Sequence, residues 1–262
     1  MLEYDFMQRA FIAGILIAIL ASISGVFIVL KRYSMIGETL AHSSLVGVAV
    51  ALISSNNPLW VAIIFALISA WIIEYLRESF DLYSDSVLSI LLSGSLALAV
   101  VIVSVGGNFN TSLFSYLFGS ILAVSFEDVI TILIVGGISL AVLLFNANKL
   151  YFIAYDEEVA KVSGIKVKAL NFLLVSVVAI IISLSIRIVG SLLIGALMVI
   201  PVTAALQYKG GFLKTMLLSL FFSVGSVIGG MSVSYYFSLP SGASIVLFVI
   251  GIFIISLAVT RR

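Results

Sequence analysis

Cysteine is absent from this chain of 262 residues, histidine occurs once, and charged residues make up only 10% of it. The first absence removes disulfides, thiolate metal sites and thiol catalysis together, so any metal must be held by oxygen and nitrogen. The single histidine argues against a zinc metalloprotease, whose His-Glu-x-x-His helix needs two. No Gly-x-x-x-x-Gly-Lys-Ser/Thr phosphate loop occurs, and "KGGFLK" near Lys209 does not qualify, so the chain does not hydrolyse ATP itself. Nor is there a basic patch for nucleic acid, because a net charge of +1 is spread over short loops. No stretch between the apolar segments is long enough for a separate soluble domain, so residues 1–262 read as one.

What is present is apolar: 63% of the residues are hydrophobic and the mean hydropathy is +1.32, far outside the range of soluble domains. The fold class is therefore an all-α polytopic membrane protein. Crossing the hydrocarbon core as helix takes about 20 apolar residues. Nine segments qualify, near 10–30, 36–54, 58–76, 86–105, 127–146, 169–187, 190–207, 214–237 and 243–260. If one of them is re-entrant, the count is eight. The first run is too long for a signal peptide and lacks a small-residue cleavage site, so it stays as a helix.

All of the 13 basic residues except Arg9 and Arg187 fall on one side when nine crossings are drawn. The opposite loops, "SSNNP", "GGNFNTS" and "LPSG", carry no charge, which places the basic side in the cytoplasm and the N-terminus outside. Residues 110–128, "NTSLFSYLFGSILAVSFED", fit no span and predict a short helix or re-entrant segment packed in protein. Within it, Ser125 with Glu127 and Asp128 reads as the capped, acid-rich start of the next helix.

The second segment holds Glu38 and His42, four residues apart and therefore stacked on one helix face. His42 lies eleven residues beyond Lys31, or about 16 Å along a helix, well inside the bilayer. Ionisable groups at that depth mark pathways by default. A carboxylate beside an imidazole is half of a site for zinc, iron or manganese, and an incomplete ligand set lets an ion leave again. The same pair also suits a buried acid neutralised by its neighbour. Gly37 and Gly47 flank it and allow close helix approach. "GSLLIGALMVIPVTAAL", residues 190–206, adds Ser191 and Gly195 at four-residue spacing and the mid-helix Pro201, a packing or gating element.

The most charged connection, residues 149–171, reads as a short helix: Asp156, Glu157 and Glu158 at its start, then Ala160, with Gly164 as its stop. It is either a solvated link or a docking element for a cytoplasmic partner.

These stretches together resemble a known family, the membrane permeases of bacterial ABC-type importers for zinc, manganese and iron (ABC-3). "SMIGETLAHSSLVGVAVAL" is similar to the family's Gly-Asp-x-x-x-His signature, with Glu38 standing where Asp is usual. "SYLFGSILAVSFED", "YDEEVAKVSGIKV", "VGSLLIGALMVIPVTAA" and "LPSGASIVL" follow in the family's order, so the likeness covers essentially the whole chain. It implies a homodimeric permease in the bacterial cytoplasmic membrane, two cytoplasmic ATP-binding subunits and an extracytoplasmic metal-binding solute protein. It also implies a coupling loop over about 149–168, with Asp156 to Gly164 as its coupling helix, and a metal path at Glu38 and His42. No cofactor is expected to be bound permanently; the metal is the cargo. "TLAHSSLVGVA" is closer to the zinc permeases than to the manganese ones. The rival readings are a manganese or iron(II) importer, a proton-coupled secondary carrier, and a permease for chelated metal.

Overall fold

The computed structural model describes residues 3–80, 83–105 and 111–260. Its helices are α1 (Asp5–Leu30), α2 (Ile36–Ser54), α3 (Pro58–Ser79), α4 (Ser84–Val105), α5 (Thr111–Phe118), α6 (Phe126–Thr131), α7 (Gly137–Phe145), α8 (Ala147–Tyr155), α9 (Glu157–Val162), α10 (Val167–Val189), α11 (Ile194–Leu206), α12 (Gly211–Phe237) and α13 (Ser241–Thr260). A π-helical turn, Ile132–Gly136, joins α6 to α7 so that Phe126–Phe145 runs as one span. No strand occurs among the described residues.

Local chemistry sets several of the boundaries. Asn57 caps α3 by accepting from the Leu59 N–H at 3.0 Å, with Pro58 at the first helical position, where its missing N–H costs nothing. Ser125 and Asp128 form a reciprocal capping box at the start of α6, as the sequence predicts. α1, α2 and α10 are largely buried, whereas α3, α4, α12 and α13 carry exposed Ile64, Ile68, Val101, Leu217, Phe221, Leu247 and Ile254. Such side chains suit hydrocarbon, not water.

Eight helices among the described residues are long and apolar enough to cross a membrane. The ninth predicted span, 190–207, is not one of them. Its helix has only 13 residues, about 20 Å against a core of about 30 Å, and residues 190–193 are a turn. The segment is apolar because it is buried in protein: Ile194, Leu197, Met198 and Val202 are almost fully enclosed.

The turn is fixed by contact with the inserted segment before α6. Ser191 N–H donates to the Tyr116 carbonyl at 2.8 Å, Leu192 N–H to Leu117 at 3.3 Å, and Ser120 N–H to Arg187 at 3.0 Å. These bonds satisfy non-helical backbone inside the bundle. Gly190 has φ +89°, and a Cβ there would lie 2.4 Å from the Leu117 carbonyl oxygen. α5 and its following 3-10 turn, Ile121–Ala123, confirm the expected short packed segment, with Tyr116 buried among Leu45, Val48, Ala62 and Ile186.

The bundle has two chemically distinct ends. Phe6, at the start of α1, shares a cleft with Gly119, Ser120, Leu239 and Pro240 at the end whose connecting loops carry no basic residue. At the basic end, Lys31 meets Asn171 and Glu157. Ser241 bonds the Ile188 carbonyl at the first end, while Ser256 bonds Ala204 toward the second. The start of α1 and the end of α13 are therefore at opposite ends.

Candidate functional site

α2 carries the acid and the histidine through the middle of the bundle. Glu38 stands in its first turn and is exposed, whereas His42, one turn on, is 5% exposed and its Nδ1 has no hydrogen-bond partner. A buried imidazole nitrogen without a partner is costly unless something else uses it. Among the described residues, no group of three His, Cys, Asp or Glu side chains is placed to hold a metal ion.

Small residues bring α11 against this pair. A Cβ on Gly37 would lie 3.2 Å from Gly195 Cα, and one on Gly195 would lie 3.2 Å from the Glu38 nitrogen. Gly47 does the same against α3, where a Cβ would meet the Val61 carbonyl at 2.6 Å. Ser191 is fully buried, and its hydroxyl, like His42 Nδ1, lacks a partner. Pro201 is buried inside α11, where it has no N–H to donate to the Leu197 carbonyl. The predicted packing residues are thus brought to α2 or its neighbours.

Hydroxyls that the sequence presents only as small residues form a buried polar seam along α2. Thr39 bonds the Leu88 carbonyl at 3.3 Å, Ser43 the Ser95 hydroxyl at 2.9 Å, and Ser44 the Ser183 hydroxyl at 2.6 Å. The four-residue spacing of Thr39 and Ser43 was the available signal.

At the basic end, α9 forms as read. Asp156 caps it by accepting from Val159 N–H at 3.0 Å, Ala160 is fully buried, and Gly164 stops it at φ +79°. Glu158 faces solvent beside Lys161 at 2.8 Å, while Glu157 turns inward to Arg77 at 3.8 Å and Lys31 at 3.9 Å. Arg77 in turn bonds the buried Glu74. Burial pushes the Lys31 ammonium down to about 8, although Glu157 and Glu74 oppose the shift. Burial also raises the Tyr33 phenol beside it. Glu74, Asn171 and the burial of Lys31 were not visible in the sequence.

Arg187, an exception to the charge pattern, finds its partner within the chain. Its guanidinium pairs with Asp128 and donates to the Tyr116 hydroxyl at 3.3 Å.

A model of the ABC 3 transport family matches residues 3–260. The chain is 36% identical to a "Probable metal transport system membrane protein" of Treponema pallidum, over 100% of this chain and 98% of that protein. It is 31% identical to the high-affinity zinc uptake system membrane protein ZnuB of Haemophilus influenzae, over 99% of each. It is 32% identical to the manganese import system permease protein ScaB of Streptococcus gordonii, over 99% of this chain and 93% of that one. Among solved structures, PsaBC from Streptococcus pneumoniae in complex with Fab superposes with a TM-score of 0.86 at 32% identity, covering 97% of this chain and 91% of that one.

Proposed function

The chain belongs to the ABC 3 transport family, and from that premise we propose that it is the membrane permease of an ATP-driven importer for a divalent transition metal, zinc before manganese. The observation that carries this reading is the enclosed His42 with its unpartnered nitrogen, one helical turn from Glu38. Relatives named for zinc and for manganese support the cargo class.

One copy offers one nitrogen and one carboxylate, and Glu38 is exposed at the surface of the single chain. A homodimer that brings two copies of α2 to a common axis doubles the set to two imidazoles and two carboxylates. Four mixed nitrogen and oxygen donors suit zinc, whereas manganese favours oxygen-rich, higher coordination. Metal handed over by a binding protein at the end of the bundle opposite Lys31 passes His42 and then Glu38 on its way to the basic, cytoplasmic end. Two ATP-binding subunits drive the change, with α9 as their docking helix. Val159 and Val162 are exposed on that helix, 48% and 89%, apolar side chains on a charged face that a partner would cover. A proton-coupled carrier of its own is not favoured, because the family match runs through residues 3–260.

The test is uptake of radiolabelled zinc into proteoliposomes containing the chain, its ATPase and its binding protein, with manganese and iron as competitors. ATP-dependent accumulation lost in both His42→Ala and Glu38→Ala, with the complex still assembled, is the expected result. Normal accumulation by both variants rejects the pathway.

A further inference from the structure

Lys31 follows α1 directly and stands seven residues before Glu38, yet its side chain is only 4% exposed. Its ammonium donates to Asn171 Oδ1 at the start of α10, lies 3.9 Å from Glu157 Oε2 on α9, and sits 5.2 Å from the Tyr33 ring centroid. The other Glu157 oxygen is 3.8 Å from Arg77 at the end of α3. Arg77 is held by Glu74 at 2.5 Å and lies 5.6 Å from the same Tyr33 ring. One carboxylate of α9 is thus tied to α1, α3 and, through Asn171, α10.

The link onward to α2 is short and stiff. Tyr33 N–H bonds the Ile28 carbonyl at 2.9 Å, Ile36 N–H bonds Tyr33 at 2.9 Å, and Arg32 takes φ +60° to close the turn. An apolar side chain would fill the site of Lys31 at lower desolvation cost, so a buried ionic network is weak evidence for stability and better evidence for a fixed register between parts. Discrete pairings of this kind carry coupling between separated sites when the elements they join move as units.

We propose that Lys31 is the positioning residue through which displacement of α9 reaches α2, and with it Glu38 and His42. The proposal rests on the reading of α9 as the docking helix. ATP-driven movement of α9 pulls Glu157, and the Lys31 pairing passes that movement to the start of the metal-bearing helix instead of letting α9 slide alone.

The experiment measures zinc accumulated per ATP hydrolysed in proteoliposomes holding the full complex. Lys31→Met and Glu157→Gln should each lower that ratio about tenfold, and Lys31→Arg should restore most of it. A residue that merely holds the fold would lower uptake and hydrolysis together and leave the ratio unmoved. An unchanged ratio in Glu157→Gln, which keeps the side-chain shape, overturns the proposal even if Lys31→Met does not fold. Val162→Arg reads the docking of α9 by itself: loss of the co-purifying ATPase supports it, and retention overturns both that reading and the proposal.

Discussion

Arg187 and Asp128, 59 residues apart in the chain, form an ion pair at the end of the bundle opposite Lys31, and the same Asp128 oxygen accepts from the Ser125 N–H that opens α6. One carboxylate both starts a helix and fastens it to α10. Both side chains are mostly enclosed, so removing one partner strands a charge and costs about 3 kcal/mol. Arg187→Met and Asp128→Asn should each lower the thermal midpoint in detergent. The double variant should lose clearly less than the sum, which a double-mutant cycle reads directly.

Gly190 should tolerate no side chain. Its φ of +89° and the Leu117 carbonyl at 2.4 Å from an added Cβ predict that Gly190→Ala costs about 4 kcal/mol or more, or abolishes folding. Gly225, in the middle of α12, has nothing within 4 Å of an added Cβ. Gly225→Ala should be neutral or gain up to about 1 kcal/mol from helix propensity. Folded yield and thermal midpoint measured side by side separate the two.

Gly195 is a milder case. An added methyl would sit 3.2 Å from the Glu38 nitrogen, so α11 and α2 must part by a few tenths of an ångström. On the proposed pathway, Gly195→Ala should keep the fold and lower zinc uptake several-fold, since small displacements of a ligand set are enough to degrade its geometry. Uptake equal to that of the parent would mean that α11 does not set the position of Glu38.

The Lys31 ammonium gives stability a particular slope with pH. Its native value of about 8 lies below the ordinary 10.5, so between those limits the unfolded chain holds more protons and stability rises with pH. The full penalty, about 3 kcal/mol, applies below about pH 8. Glu157, Glu74 and Arg77 face the ammonium, while Tyr33, raised by burial, works in the opposite direction above about pH 10. From pH 8 to 10 the parent should therefore gain about 2 kcal/mol relative to Lys31→Met. Thermal midpoints of the two proteins in detergent across that window check it.

The long helices were legible because lipid demands long apolar runs, and α2 begins and ends where the sequence places it, at Ile36 and Ser54. The cap at Ser125, the cap at Asp156 and the stop at Gly164 were equally local signals. The 190–207 segment was not legible, because hydropathy reports that a residue avoids water and does not distinguish lipid from protein as its surroundings. Its turn depends on backbone bonds to Tyr116 and Leu117, more than 70 residues earlier. The four-residue spacing of Glu38 and His42 placed them one turn apart on a helix, as α2 has them. The burial of Lys31 could not be read in this way, because its partner Asn171 is 140 residues away and nothing near Lys31 announces it.

The short α11 begins in the interior of the bundle, with Gly195 in its first turn against Glu38, which itself stands in the first turn of α2. Each helix start carries about half a positive charge from its aligned peptide dipoles. Glu38 therefore stands near two such termini. A lysine in its place would be repelled by both. On the proposed pathway, a metal ion at Glu38 meets an attraction already offset by their field, so its capture is shallow and the ion can go on.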